Sequence, residues 1–305
     1  MDFDGQELYS SCCLCPRACG VDRNNGKLGV CGAGATVRIG RAALHWWEEP
    51  PLVGDRGSGA VFFSSCPLGC VYCQNKDLAK GAGVDVPDGS LDEVFLRLQD
   101  SEGAANINLV TPSHYAPTIA ASLRRLRETG KLRIPVVFNT SSYEAVSTLR
   151  LFEGLVDVYL ADFKYVDSGE AHLLSRAADY PAVAKKALEE MIRQVPVWEE
   201  NGEGMLLRGV IVRHLVLPGR IEASLRALDA LLPLREKMRL SIMSQYTPLS
   251  GDLARYGLQG RVSRGDYERV LDYADSLNFE DYFWQEGGAA EESFVPAFDG
   301  TGVLR

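Results

Sequence analysis

The chain has 305 residues, 46% hydrophobic and 24% charged, enough to bury a large core in one α/β domain with a small appendage. A formal net charge of −9 disfavours nucleic-acid and anionic-membrane binding, which need a basic surface, and leaves a protein or small-molecule partner as the expectation. The acidic opening shows no signal-peptide pattern and no apolar run approaches a membrane span, so the expected compartment is the cytoplasm.

Residues 1–52 form a cysteine-rich segment. They hold Cys12, Cys13, Cys15, Cys19 and Cys31, the last after a turn-rich stretch around Asn24-Asn25-Gly26. In a chain without an export signal such usage points to metal or redox chemistry rather than to a disulfide framework. Cys12, Cys15, Cys19 and Cys31 make a four-thiolate set with a C-x2-C opening, for zinc or an iron-sulfur cluster. The segment has few large apolar residues, so a metal can substitute for a core. Cys13 is then spare, and either it or Cys12 is the ligand. Trp46-Trp47 and Glu48-Glu49-Pro50-Pro51 read as a packing wedge leading into a main domain at 53–280, with a C-terminal tail at 281–305 that wraps the domain or covers its mouth.

From residue 54 onward short β-rich runs alternate with amphipathic helical patterns, which predicts a parallel sheet with crossovers. Gly57 and Gly59 read as turn residues before an apolar run at 60–65. A capping box, Ser90 to Glu93, opens a helix with Leu91, Val94, Phe95 and Leu98 on one face. The run 107–110 is followed by a helix with Pro117 near its start and Gly130 at its end. The run 136–139 ends in Thr140-Ser141-Ser142, where Ser141 to Glu144 reads as a second capping box. Runs at 156–162, 210–216 and 240–246 follow, with helices from about Asp179 and Ser263. These make six βα units.

The segment Cys66-Pro-Leu-Gly-Cys70-Val-Tyr72-Cys73 directly follows the first of these runs. Three thiolates is the informative count, because closed zinc sites and ordinary 4Fe-4S sites use four. A cubane held by three cysteines keeps one iron open; the plainer alternative is a disulfide or zinc loop. In α/β sheets the C-terminal strand ends carry the site, so the six tips are expected to converge on one cavity. Candidate cofactor contacts there are Thr111, Asn139, Asp162, Lys164, Arg213 and Gln245, with Tyr72 and Asn75 on the cysteine loop. Arg213 suits a carboxylate, or else a structural ion pair. His114 and His214 read as hydrogen-bonded core or rim residues rather than ligands.

The C-x3-C-x2-C spacing with Tyr72 before the last cysteine resembles the signature of the radical S-adenosylmethionine (SAM) superfamily. The ordered set Cys66 to Asn75, Asp162-Phe-Lys164, Arg213-His-Leu-Val-Leu-Pro-Gly219 and Gln245-Tyr-Thr-Pro248, with the early Cys-Leu-Cys15-Pro-Arg17, is similar to an uncharacterised subgroup related to pyruvate formate-lyase activating enzyme. That resemblance covers roughly residues 12 to 250. It implies a partial (β/α)6 TIM-type barrel with a 4Fe-4S cluster on Cys66, Cys70 and Cys73. It also implies SAM contacts from Asp162 and Lys164, Arg213 on the SAM carboxylate, and an electron donor such as flavodoxin or ferredoxin. The implied activity is reductive cleavage of SAM for hydrogen abstraction, from a glycine of a partner enzyme, or alternatively from a peptide side chain or small metabolite. A non-catalytic zinc or iron-sulfur scaffold is the competing class. The Gly-Gly-Glu motif usual after the second strand is replaced by Thr111-Pro-Ser113-His114, which leaves the partner of the SAM amine open.

Overall fold

The computed structural model describes residues 5, 7–87, 89–249, 252–285 and 295–303. Its strands are β1 (Arg38–His45), β2 (Ser58–Phe63), β3 (Val84–Asp85), β4 (Ile107–Val110), β5 (Val136–Thr140), β6 (Val158–Asp162), β7 (Glu199–Glu200), β8 (Leu206–Leu215), β9 (Arg239–Met243) and β10 (Phe283–Trp284). They lie in the order β10-β9-β8-β6-β5-β4-β2-β1-β3, with β7 beside β8. From β2 through β10 along that path the neighbours are parallel. Strand β1 runs antiparallel between β2 and β3. The sheet is not closed; β10 and β3 are its ends.

Helices follow the parallel strands as the alternation predicts, among them Ala116–Glu128 after β4, Tyr180–Gln194 after β6, Ile221–Leu231 after β8 and Arg264–Ser276 after β9. Because side chains alternate along a strand, each strand divides its residues between two faces. Val61, Phe63, Leu109, Phe138, Tyr159, Ala161, Val212 and Ile242 share one phase. They pack with Phe95, Leu123, Leu188 and Leu228 of the helices in the main core. The other phase carries Val137, Leu160 and Ile211, packed on Leu52 in a smaller cluster. Two residues further along those strands come Asn139, Asp162 and Arg213. The same alternation that buries the second face therefore aims these three polar side chains off its end. Among the described residues no helix is long and apolar enough to cross a membrane.

Several expectations need correction. The second capping box does not exist: no helix starts at Ser141, the next one is Val146–Leu149, and Glu144 instead accepts hydrogen bonds from Ser113 and Thr140. Ser90 does precede helix Leu91–Leu96 but makes no side-chain cap bond. Gly57, at φ 76°, is a turn residue, whereas Gly59 lies within β2. A Cβ there would stand 2.7 Å from the Asn106 carbonyl oxygen, so Gly59 serves close packing. The Trp46-Trp47 pair is not core: the two are 48% and 57% exposed. Strand β1, within the cysteine-rich first 52 residues, belongs to the main sheet. Of the C-terminal tail, residues 286–294 lie outside the described residues, and 295–303 return to β1 through Gly300 N to Gly40 O at 2.8 Å and Ala42 N to Thr301 O at 3.0 Å.

Candidate functional site

Strand β2 ends at Phe63, and Ser65 leaves it with φ 81°, in left-handed backbone that a serine enters at a cost of about 1–3 kcal/mol. The exits of β4 and β5 repeat this at Thr111, φ 58°, and Ser142, φ 60°. Two of these strained residues, Ser65 and Thr111, and Ser141 beside the third line one cavity of about 250 Å³. Its lining includes Cys66, Cys70 and Cys73. It also includes every sequence-predicted contact: Tyr72, Asn75, Thr111, Asn139, Asp162, Lys164, Arg213 and Gln245.

The cysteine loop is fastened from several sides. Arg17 donates from Nε to Pro67 O at 2.9 Å, Val71 N to Leu174 O at 2.9 Å, and Gln74 Nε2 to Gln245 O at 2.7 Å. Ser175 Oγ donates to Cys70 Sγ at 3.0 Å, and Tyr165 bonds both Ser175 and the Tyr72 hydroxyl at 2.7 Å. Burial pushes all three thiols up, Cys73 to about 12, where repulsion from Cys70 and Cys66 adds to it. The Lys164 ammonium acts in the opposite direction on each. Among the described residues no three His, Cys, Asp or Glu groups already stand at metal-ligand spacing. The three thiols nevertheless share one cavity wall, two of them with hydrogen-bond donors on sulfur, the Leu68 amide at 3.5 Å from Cys66 Sγ being the second. Three soft donors facing a cavity that no further cysteine lines fit a cluster with one open iron.

Behind the thiols lies a charge network. Asp162 accepts from Lys164 Nζ at 2.6 Å and from Arg213 Nε at 2.8 Å. Arg213 also donates to Glu48 at 3.1 Å and to Asn139 Oδ1 at 2.8 Å. Among the described residues these bonds engage three of its five N–H donors. Burial alone would raise the Asp162 carboxyl, but Arg213 and Lys164 outweigh it and hold that carboxyl below its ordinary value. Burial raises Glu48 and Glu49 against the attraction of Arg213. Two cations, Lys164 and Arg213, thus stand among three carboxyls, and burial favours the neutral form of Glu48 and Glu49 while Arg213 opposes it.

Comparisons with known proteins add little chemistry. No family model matches the chain. An uncharacterized protein of Methanocaldococcus jannaschii is 25% identical over 282 residues, 90% of this chain and 77% of that protein. Among solved structures, a probable 2-pyrone-4,6-dicarboxylic acid hydrolase from Acinetobacter baumannii with citric acid bound superposes with a TM-score of 0.27. It is 12% identical, across 68% of this chain and 78% of that one.

Sequence reasoning missed Glu48 and Glu49. Glu48 accepts from Asn108, Asn139 and Arg213, each at 3.1 Å, and is part of the site rather than of a wedge. Two adjacent acids between a tryptophan pair and a proline pair were the available signal. His45 and Trp47 also line the cavity without having been anticipated there, and Val295 and Pro296 of the C-terminal tail line it too. The histidines at the tips are core residues: His214 bonds Phe163 O at 2.8 Å and Ser224 Oγ at 2.9 Å, and His114 bonds Ser64 O at 2.7 Å. Cys12, Cys15, Cys19 and Cys31 do not line this cavity.

Proposed function

We propose that the chain is a radical SAM enzyme built on a partial (β/α)6 barrel, the six units being β2, β4, β5, β6, β8 and β9. The observation that carries the reading is the gathering of Cys66, Cys70 and Cys73 with all eight candidate cofactor contacts around one cavity. Sequential neighbours in the parallel sheet support the barrel reading, because winding in one direction is how such barrels are built. A 4Fe-4S cluster on the three thiolates would supply the electron that cleaves SAM to methionine and a 5'-deoxyadenosyl radical.

The remaining steps belong to the chain's own residues. Lys164, locked by Asp162, places a cation beside the thiols, stabilising them in the charged form a cluster requires. The Arg213 guanidinium is the carboxylate partner, and its fixed position follows from Asp162, Glu48 and Asn139. Asn139 and Gln245 offer amides, and Thr111 a hydroxyl, for sugar or amine groups. The electron donor is of the flavodoxin or ferredoxin class, and hydrogen abstraction from a glycine of a protein partner is the activity that the sequence resemblance favours.

The test is anaerobic reconstitution with iron and sulfide, reduction, and assay of 5'-deoxyadenosine released from SAM. Wild type is expected to release it, and Cys70→Ala to release at least a hundredfold less. Release undiminished in Cys70→Ala, or none from a wild type carrying about four irons, would refute the proposal.

A further inference from the structure

The second group of cysteines lies outside the cavity, yet its geometry is as organised as the first. Cys12 N bonds Val21 O and Gly20 N bonds Cys12 O, each at 3.0 Å, folding 12–21 into a tight loop that brings Cys19 Sγ to 3.9 Å from Cys12 O. A second turn, Gly32 N to Gly29 O at 2.9 Å and Gly29 N to Ala33 O at 3.0 Å, presents Cys31. Gly29 sits between the loops: a Cβ there would stand 3.2 Å from Cys31 Sγ and 3.6 Å from Cys19 Sγ. Cys12, Cys15 and Cys31 are close enough that their charges would repel one another. The fifth cysteine of the segment, Cys13, is exposed.

An independent observation says what charge belongs there. Arg23 is 1% exposed, stacked over the rings of Tyr9 and Tyr115, and it donates to the carbonyls of Gly34 and His114. Among the described residues no carboxylate pairs with it. Burying a guanidinium costs several kcal/mol in desolvation, and an anion beside it offsets part of that cost. The group that faces it is Cys12 Sγ, 3.6 Å from Nη1. A sulfur at that position suits a metal-bound thiolate, whose negative charge the guanidinium would balance.

The segment also touches the first site. Arg17, two residues beyond Cys15, donates to Pro67 O, Ser175 O and Arg176 O at 2.9, 3.2 and 2.6 Å, so it holds the start of the Cys66–Cys73 loop. We propose that Cys12, Cys15, Cys19 and Cys31, with Cys13 excluded, bind one thiophilic metal centre, a zinc ion or an iron-sulfur cluster. Through Arg17 this centre clamps the loop that carries Cys66, Cys70 and Cys73. The metal draws the four sulfurs inward to ligand spacing, and Arg23 balances the charge. This inference stands whether or not the cavity cleaves SAM.

The decisive preparation is full-length protein carrying Cys66→Ala, Cys70→Ala and Cys73→Ala, purified anaerobically and analysed for zinc, iron and sulfide. It is expected to retain one zinc, or about four irons with sulfide, per chain. Adding Cys13→Ser should leave that content unchanged, and adding Cys19→Ser or Cys31→Ser should lower it at least tenfold. No metal in the triple variant, or equal loss on Cys13→Ser and Cys31→Ser, overturns the site.

Should the Cys19 and Cys31 variants fail to fold, wild-type protein still decides. Cys19, only partly covered, should resist alkylation until a strong chelator removes the metal, while Cys13 reacts at once; immediate labelling of Cys19 overturns the site. For the clamp, Arg17→Ala should keep the metal yet speed amide hydrogen exchange in residues 66–73 at least tenfold. Unchanged exchange there would overturn that part.

Discussion

Asp162 shows why residue identity at a strand tip is so constrained. Its two carboxylate oxygens are divided between Lys164 and Arg213, and all three side chains are at most 16% exposed. Removing one partner of a buried ion pair leaves an uncompensated charge, so Asp162→Asn is expected to cost about 3–5 kcal/mol in urea unfolding. A cost below about 1 kcal/mol would show that the network is solvated. Glu144 gives a pH signature. Burial raises its carboxyl to about 7, despite the bonds from Ser113 and Thr140, from an ordinary value of 4.5. Because the folded state holds this proton more tightly than the unfolded chain, its contribution is full below pH 4.5 and is lost as pH rises to about 7. The difference is about 3 kcal/mol. Relative to Glu144→Gln, wild type should therefore lose stability between those values and run parallel above them. A difference that stays constant across pH 4.5 to 7 would sink this assignment. The cysteines of the first site were legible because their spacing is local. Glu48 was not, since its role depends on Arg213, 165 residues away.

At the level of elements, identical sequence signals gave different outcomes. Ser90 and Ser263 both sit at a helix start with an acid three residues later, and only Ser263 accepts from the Asp266 amide, at 3.1 Å. Ser263→Ala should cost about 1 kcal/mol, and Ser90→Ala no more than about 0.3 kcal/mol, in thermal or urea unfolding. Equal costs would mean that the two caps are equivalent in solution. The third such signal, Ser141 to Glu144, lost to tertiary structure. Burying Glu144 under Ser113 and Thr140 ties two adjacent strand tips together, a competing use of the same carboxylate that no local pattern reveals. Six of the seven parallel strands, all but the two-residue β10, were readable because strands buried on both faces are continuous apolar runs. Strand β1 was not, because arginines at 38 and 41 and a glycine at 40 break the pattern. It is recognisable only through its pairing with β2.

For the whole molecule the arrangement turns on an open sheet whose four long helices pack on one face while the other, with two single-turn helices, leads to the site. An open sheet has edges, and exposed strand edges invite further pairing unless something covers them. Strand β3 pairs only with Arg38 and Ile39 of β1, and the last described segment covers the stretch of β1 beyond it. Thr301 O accepts from Ala42 N, Gly300 N donates to Gly40 O, and Arg97 bonds the carbonyls of both Ala42 and Gly302. Phe298 meets the Phe62 ring at a centroid distance of 5.5 Å, on the side of the sheet where Val295 and Pro296 line the cavity. The same strap thus seals an edge and supplies part of the cavity wall. Gly302 is fitted to this contact, since a Cβ there would overlap the Ala42 carbonyl oxygen. Deleting residues 295–305 should therefore act locally before it acts globally. The Ala42 amide, which donates to Thr301 O, is expected to exchange at least about tenfold faster, while the Leu109 amide inside the parallel region keeps its rate. Equal acceleration at both positions would mean that the strap holds the whole sheet together rather than one edge. No change at Ala42 would mean that it does not cover β1 in solution.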